Sequence, residues 1–300
     1  MNSLDILKVE FSRDFAAIVN SHACARQLIA FFRINNLRPK RIITKLPFKD
    51  YFSDFDIELI DNYDLHELNE YESILTSTSE ESDVEMQFVE YAKSKQIKTY
   101  CMVDFWSNYK NRFLKNGILV LPDAIISINK TIDSGLKAIY KSKDLKFFLI
   151  EDPYIQELID KSKLIKDSCN EPKEILFISQ PFGHRGKDFT VNGISDLDNL
   201  DNLLLFIKSS DKYNKYKVRI RPHPSEDNSK FNILLSRWGE DFLHISSFSD
   251  ILEDIVNSEI IIGTNSYALY IAYKLKKKVS YWLPSGMNFS IPVDSIQAFK

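Results

Sequence analysis

Apolar residues fall along this chain in short runs, each closed by a polar loop and followed by a segment with helical spacing. Phe15-Ala16-Ala17-Ile18-Val19 ends at Asn20-Ser21-His22, and residues 26–35 then place Leu28, Ile29, Phe31 and Phe32 at helical intervals. Strand-like runs recur at 41–44, weakly at Ile57, Leu59 and Ile60, and again at 73–75, 99–103, 124–128 and 147–150. Helical patterns over 84–95 and up to about Tyr140 lie between them.

The alternation restarts at Glu174. Ile175-Leu176-Phe177-Ile178 is followed by a helix over 196–209, a strand over 217–221 and a helix near 231–238. A strand over 242–245, a helix over 249–257 capped by Ser249, a strand over 259–262, a helix over 267–276 and a closing strand over 279–283 complete the series. Two successive βα alternations predict an α/β protein of the GT-B kind, with two Rossmann-like domains facing across a cleft. The expected domains are residues 1–152 and 153–300, joined through Glu151-Asp152-Pro153 and the polar segment ending at Pro172.

Composition narrows the partners. The 300 residues carry a net charge of −3 and no basic stripe interleaved with aromatics, which argues against nucleic acid. Cys24, Cys101 and Cys169 are too few and too scattered for a disulfide framework or a zinc site. Residues 1–14 lack the apolar region of a signal peptide, and no run is long enough to span a membrane, so the expected location is cytoplasmic. Lys274-Leu275-Lys276-Lys277-Lys278 has the charge to touch the anionic inner face of a membrane, and equally suits the C-terminus of a helix, the reading adopted here. Asp54-Phe55-Asp56 has the form of a metal-binding D-x-D, but it lies in a stretch so rich in carboxylates that no metal site is assigned to it.

Candidate chemistry gathers in loops that follow strands. In Arg219-Ile220-Arg221-Pro222-His223-Pro224-Ser225-Glu226, two prolines restrict the backbone around His223, and two arginines nearby suit an anionic ligand. Ser179-Gln180-Pro181-Phe182-Gly183-His184-Arg185-Gly186-Lys187 has the glycines and cations to lie against a phosphate. Gly263-Thr264-Asn265-Ser266 opens a helix, where backbone N–H groups and hydroxyls make a natural phosphate site. The first half offers carboxylates instead: the loop from Thr76 to Asp83, and Asp104 at the end of its strand.

Taken whole, the chain resembles GT-B glycosyltransferases. Arg221-Pro222-His223-Pro224 and Gly263-Thr264-Asn265-Ser266 resemble the His-Pro and serine motifs of bacterial sialyltransferases and related Kdo transferases, which use CMP-activated sugars. The resemblance implies that His223 stabilises the leaving phosphate and that Thr264 and Ser266 bind it. Arg221, Pro224, Gln180, Gly183, His184, Gly263 and Asn265 would complete the donor site. A carboxylate of the N-terminal domain would take the acceptor proton: Asp104, or failing it Glu81 or Asp83. The implied partners are a nucleotide sugar and a glycan acceptor, with no metal and no further cofactor. Two departures stand out: Thr-Asn-Ser replaces paired serines, and Glu80-Glu81 is followed by Ser82 where the sialyltransferases carry glycine. Two rival readings are a CDP-glycerol glycerophosphotransferase and a non-catalytic sugar- or nucleotide-binding component of a polysaccharide assembly complex.

Overall fold

The structure, a computed structural model, describes residues 2–60, 63–78, 83–140, 144–165, 173–182 and 190–300. It divides into two compact units, Met1–Glu157 and Leu158–Lys300.

The N-terminal unit contains α1 (Ser3–Glu10), β1 (Phe15–Val19), α2 (His22–Asn35), β2 (Arg41–Thr44), β3 (Ile57–Leu59), β4 (Ser73–Thr76) and α3 (Val84–Ser94). It continues with β5 (Lys98–Val103), β6 (Leu114–Lys115), β7 (Ile118–Leu119), β8 (Ala124–Ser127), α4 (Lys130–Ile139) and β9 (Lys146–Leu149), and α5 (Pro153–Ser162) straddles the division. Seven strands form one sheet in the order β3-β2-β1-β4-β5-β8-β9, and every neighbouring pair is parallel. Parallel strands need crossover connections that cover both faces, so the central strands must be apolar throughout. All residues of β1, β4 and β8 are accordingly buried. Helix α2 packs Leu28, Phe31 and Phe32 inward; the Ser21 side chain accepts from Cys24 N at 3.3 Å to start it, and Asn36 ends it in the left-handed region at φ 51°.

In this unit, α1 and the β6–β7 hairpin lie outside the sequence expectations. Helix α1 rests on a capping box between Asn2 and Asp5 and buries Leu7, although its segment reads as merely charged. Strands β6 and β7 form a hairpin across Asn116-Gly117, both at positive φ, the two-residue turn whose twist matches that of paired strands.

The C-terminal unit runs through β10 (Glu174–Ile178), α6 (Asp196–Ser209), β11 (Lys217–Arg221), α7 (Asn232–Trp238), β12 (Leu243–Ile245), α8 (Ile251–Val256), β13 (Ile260–Gly263), α9 (Tyr267–Lys274), β14 (Lys278–Tyr281) and β15 (Gln297–Ala298). Its sheet order is β12-β11-β10-β13-β14-β15, again parallel throughout. Ile175, Phe177, Val218, Ile220 and Ile262 from the strands pack with Leu203, Leu204 and Ile207 of α6. Helix α8 is capped by Asp250, whose carboxylate accepts from Leu252 N at 2.9 Å, and not by Ser249 as its sequence suggests. The better acceptor took the position, since a carboxylate at a helix N-terminus also meets the positive end of the helix dipole. Within the basic run after α9, the Lys277 ammonium holds the carbonyls of Val256 and Ser258. Among the described residues, no helix is long and apolar enough to cross a membrane.

Candidate functional site

In each unit the strand order reverses direction beside the first strand: between β1 and β4 in one, and between β10 and β13 in the other. At such a point the loops after the two strands leave in opposite directions, opening a crevice at their carboxyl ends where ligands bind in folds of this type.

In the C-terminal unit, Ser179 and Gln180 follow β10, Thr264 follows β13, and Pro222-His223 follow the neighbouring β11. Gly263 ends β13 where a Cβ would lie 3.0 Å from the Ile178 carbonyl oxygen and 3.3 Å from Leu269 Cδ2, so a side chain there would have to push β10 or α9 aside by a few tenths of an ångström. Thr264 is buried and its hydroxyl donates to Gln180 Oε1 at 3.4 Å, linking the two sides of the reversal. Ser266 caps α9 by accepting from Ala268 N at 3.3 Å. Asn265 faces elsewhere: its Nδ2 donates to the Asn288 carbonyl at 2.9 Å and its Oδ1 accepts from Ser290 N at 2.8 Å. Both ends of that amide fasten the 288–290 loop.

His223 is held from two sides. Its backbone N–H donates to Glu226 Oε2 at 2.6 Å, and Glu226 N returns a bond to the His223 carbonyl at 2.9 Å. Around the ring, Nδ1 accepts from Ser225 N at 3.2 Å and lies 2.7 Å from Ser225 Oγ. A backbone N–H can only donate, so the neutral ring carries its proton on Nε2 and presents a donor there. Pro224 lies exposed in the same turn.

Glu226 is the anchor of this arrangement, and sequence reasoning did not single it out. Its Oε1 accepts from Ser179 Oγ at 3.0 Å and from Lys230, whose ammonium also reaches Asp196 Oδ2 at 2.7 Å. One buried carboxylate therefore joins the loop after β10, the His223 turn and the start of α6. The Lys230 ammonium, although half-buried, is held above its ordinary pKa: burial opposes its charge, and the bonds to Asp196 and Glu226 outweigh that effect.

Both arginines of the strand have partners within the fold. Arg219 is buried between Glu174 and Asp254, with its guanidinium 4.8 Å from the Phe248 ring centroid. Arg221 donates to Asp254 Oδ2 at 3.0 Å, to the Ser249 carbonyl at 3.0 Å and to the Phe248 carbonyl. Two carboxylates and two guanidiniums cancel, so this network holds β10, β11 and α8 together. Burial, then the charges of Arg219 and Lys217, push the neighbouring His244 below its ordinary pKa. Gly183 and His184 lie outside the described residues.

In the N-terminal unit, Asp104 follows β5 and is nearly buried beside Arg112, whose Nη1 lies 3.5 Å from Oδ1. Arg112 also donates to the Thr78 carbonyl at 3.1 Å and, through Nε, to the Ser107 carbonyl at 3.0 Å. The Cys24 thiol points at Thr78 O and Asp104, and burial followed by the Asp104 charge drives its pKa far up, which keeps it an unreactive thiol. Asp83 stands at the N-cap of α3 without a capping bond, and its carboxylate accepts from Asn116 N at 3.3 Å in the hairpin turn. Glu81 lies outside the described residues.

The reversal point of this unit carries a group that the sequence reading passed over. Asn20 follows β1, Ser77 follows β4, and Glu85 sits in the first turn of α3. Their exposures are 6%, 1% and 1%, and among the described residues Asn20 Oδ1 and Nδ2, Ser77 Oγ and both Glu85 carboxyl oxygens have no partner in hydrogen-bonding geometry, although Asn20 and Ser77 lie near enough to act on the Glu85 charge. A buried polar group left in this state costs about 1–3 kcal/mol. Burial raises the Glu85 carboxyl from its ordinary 4.5 to about 7; its own backbone N–H, Asn20, Lys45 and Ser77 pull the other way without overcoming it. The sequence did contain a signal: Glu85 is in register with Phe88, Val89 and Ala92 on the buried face of α3, an acid at a core position of the helical pattern.

Neither a protein-family model nor a curated protein sequence matches the chain. Among solved structures it is similar to UDP-GlcNAc 2-epimerase from Neisseria meningitidis bound to UDP-GlcNAc, with a TM-score of 0.61 and 15% identity over 89% of this chain and 82% of that one. It is also similar to S. aureus MnaA in a structure with UDP, with a TM-score of 0.58 and 13% identity over 90% of this chain and 79% of that one. Identities this low establish the fold alone. The chain has a GT-B-like architecture, each unit a Rossmann-like sheet.

Proposed function

We propose that this protein transfers a group, in the first instance a glycosyl group, from a nucleotide-activated donor to a hydroxyl acceptor. The observation that carries the reading is the His223 turn. An imidazole whose Nδ1 is engaged by Ser225 and whose backbone is clamped by Glu226 presents its Nε2–H beside the strand reversal of the C-terminal sheet. That proton is a preorganised donor for a phosphate oxygen whose charge grows as the donor bond breaks. The start of α9 supplies backbone N–H groups on the same edge, beside the Thr264 hydroxyl that is bonded to Gln180.

In the step envisaged, the bond between the donor carbon and the phosphate oxygen breaks, and its electron pair leaves with the nucleotide. The acceptor oxygen forms the new bond to that carbon, and its proton passes to a carboxylate of the N-terminal unit. Asp104 is the sequence candidate, with the Arg112 guanidinium 3.5 Å from its carboxylate. A CMP-sugar is the donor that the motif resemblance implies. UDP is its main competitor, because both structural neighbours named above were solved with a uridine nucleotide or nucleotide sugar.

A thermal-shift series with CMP, CDP, UDP, GDP and ADP tests the donor, since a ligand that binds only the folded state raises apparent stability by mass action. Turnover assays with CMP-sugars, UDP-sugars and CDP-glycerol test the chemistry. Selective stabilisation by CMP and transfer from a CMP-sugar are expected; selective stabilisation by UDP moves the donor assignment, and turnover of CDP-glycerol alone moves the transferred group to glycerol phosphate. His223→Ala is expected to lower transfer about 10²–10³-fold with its melting temperature unchanged. Near-normal transfer by that variant sinks the assignment of His223, and binding without turnover of any donor leaves a non-catalytic binding component.

A further inference from the structure

We propose that Asn20, Ser77 and Glu85 form a subsite for an uncharged, hydroxyl-bearing group at the strand reversal of the N-terminal sheet, with Glu85 accepting the hydroxyl hydrogen. Three polar side chains, each more than nine-tenths buried, gather at the carboxyl ends of β1 and β4, close enough for Asn20 and Ser77 to act on the Glu85 charge, yet none of the five atoms named above has a partner in hydrogen-bonding geometry among the described residues. A fold that merely tolerated one stray polar atom would not gather three such residues at the position where its architecture binds ligands.

The inventory of those atoms selects the ligand chemistry. The Asn20 amide nitrogen offers two N–H donors and the Ser77 hydroxyl one; Asn20 Oδ1, Ser77 Oγ and the two Glu85 oxygens accept. An anion would meet the Glu85 carboxyl with no cation bonded to it. A bare cation would leave the Asn20 N–H groups unpaired and would lie where the Lys45 charge already acts on Glu85. A hydroxyl both donates and accepts, so it satisfies the carboxyl and the amide together. Cys24, whose thiol is influenced by both Ser77 and Glu85, forms the neighbouring wall and is itself directed at Thr78 and Asp104.

The first turn of α3, which carries Glu85, has no side-chain cap: its N-cap residue Asp83 is bonded instead to Asn116. Identifying the hydroxyl as that of the acceptor rests on the transfer reading above; the binding of a polyol does not. The same unpaired atoms would accommodate water, and the test separates these two sources.

The full-length protein is labelled with [δ-13C]glutamate, and the Glu85 resonance is assigned from the spectrum of Glu85→Gln. Glycerol and methyl α-glucoside are then titrated in, and CMP and UDP in a parallel series followed at the His223 ring. The expected result is a saturable displacement of the Glu85 resonance by at least one polyol, weakened about tenfold in Ser77→Ala and in Asn20→Ala, as the loss of one hydrogen bond predicts. A Glu85 resonance unmoved by both polyols shows that the cluster holds water only and overturns the proposal. A displacement equally strong in Ser77→Ala and Asn20→Ala, with amide protection in β1 and β4 showing the N-terminal unit of both variants folded, overturns it as well. Loss of the nucleotide response at His223 with the polyol response intact removes the transfer reading and leaves the subsite standing.

Discussion

Replacing Glu85 by glutamine isolates the energetic consequence of burying a carboxyl without partners. The folded carboxyl titrates at about 7 against an ordinary 4.5, so the folded state binds its proton more tightly than the unfolded chain does. Below pH 4.5 both states are protonated and the group contributes no pH dependence. Between pH 4.5 and 7 the unfolded state gives up its proton first, so stability falls as pH rises, and above 7 the loss is complete. A separation of roughly 2.5 pKa units at 1.36 kcal/mol each amounts to about 3 kcal/mol. Lys45 and Cys24 lie within reach of the group's charge in wild type and variant alike, so their own contributions largely cancel in the comparison. The appropriate assay is hydrogen exchange of amides in β1 and β4, which reports opening of the N-terminal unit independently of the C-terminal one. The stability of Glu85→Gln relative to wild type should rise by about 3 kcal/mol from the acid to the alkaline side of this window. A difference that stays flat across the window refutes the assignment of Glu85 as a buried, unpaired acid.

Three further substitutions test other parts of the structure. Asp254→Asn leaves Arg219 and Arg221 without the carboxylate that separates them and should cost about 3–5 kcal/mol in urea unfolding of the C-terminal unit, whereas a cost below 1 kcal/mol would show that the network is dispensable. Gly263→Ala drives a methyl against the Ile178 carbonyl and Leu269, with an expected loss of about 1–3 kcal/mol read from its melting temperature. Glu226→Gln weakens the hold on Ser179 and Lys230 while keeping the shape of the His223 turn; it should lower kcat more than it raises KM, and an unchanged kcat would remove Glu226 as the positioning residue of His223.

Much of the fold was legible because parallel strands buried on both faces announce themselves as continuous apolar runs. β1, β10 and β13 were readable for that reason; α6 was read at its observed bounds, and in the structure a Ser195–Asp198 capping box marks its start. The elements that were missed depend on weaker or different signals. Helix α1 fully buries only Leu7, too little to make a periodic pattern. The β6–β7 hairpin is announced only by Asn116-Gly117, a turn signal without the flanking apolar alternation of longer hairpins.

The candidate site divides along the same physical line. His223 could be singled out from sequence because the constraint on it is local: two prolines, and a serine two residues away that engages its ring. The roles of Arg219 and Arg221 could not, because their partners Glu174 and Asp254 lie 45 and 33 to 35 residues away and meet them only when β10, β11 and α8 pack. Charge that looked available for a ligand is neutralised within the fold. The proposed binding of a donor phosphate in the described part of the C-terminal unit would therefore rest on directed donors, the His223 Nε2–H and the start of α9, rather than on guanidinium charge. Glu85 presents the converse case. An acid on the apolar face of a helix violates the pattern that predicts the helix, and such a violation is worth retaining only where something other than packing is at stake. In the N-terminal unit that exception falls at the strand reversal, where the architecture places ligands.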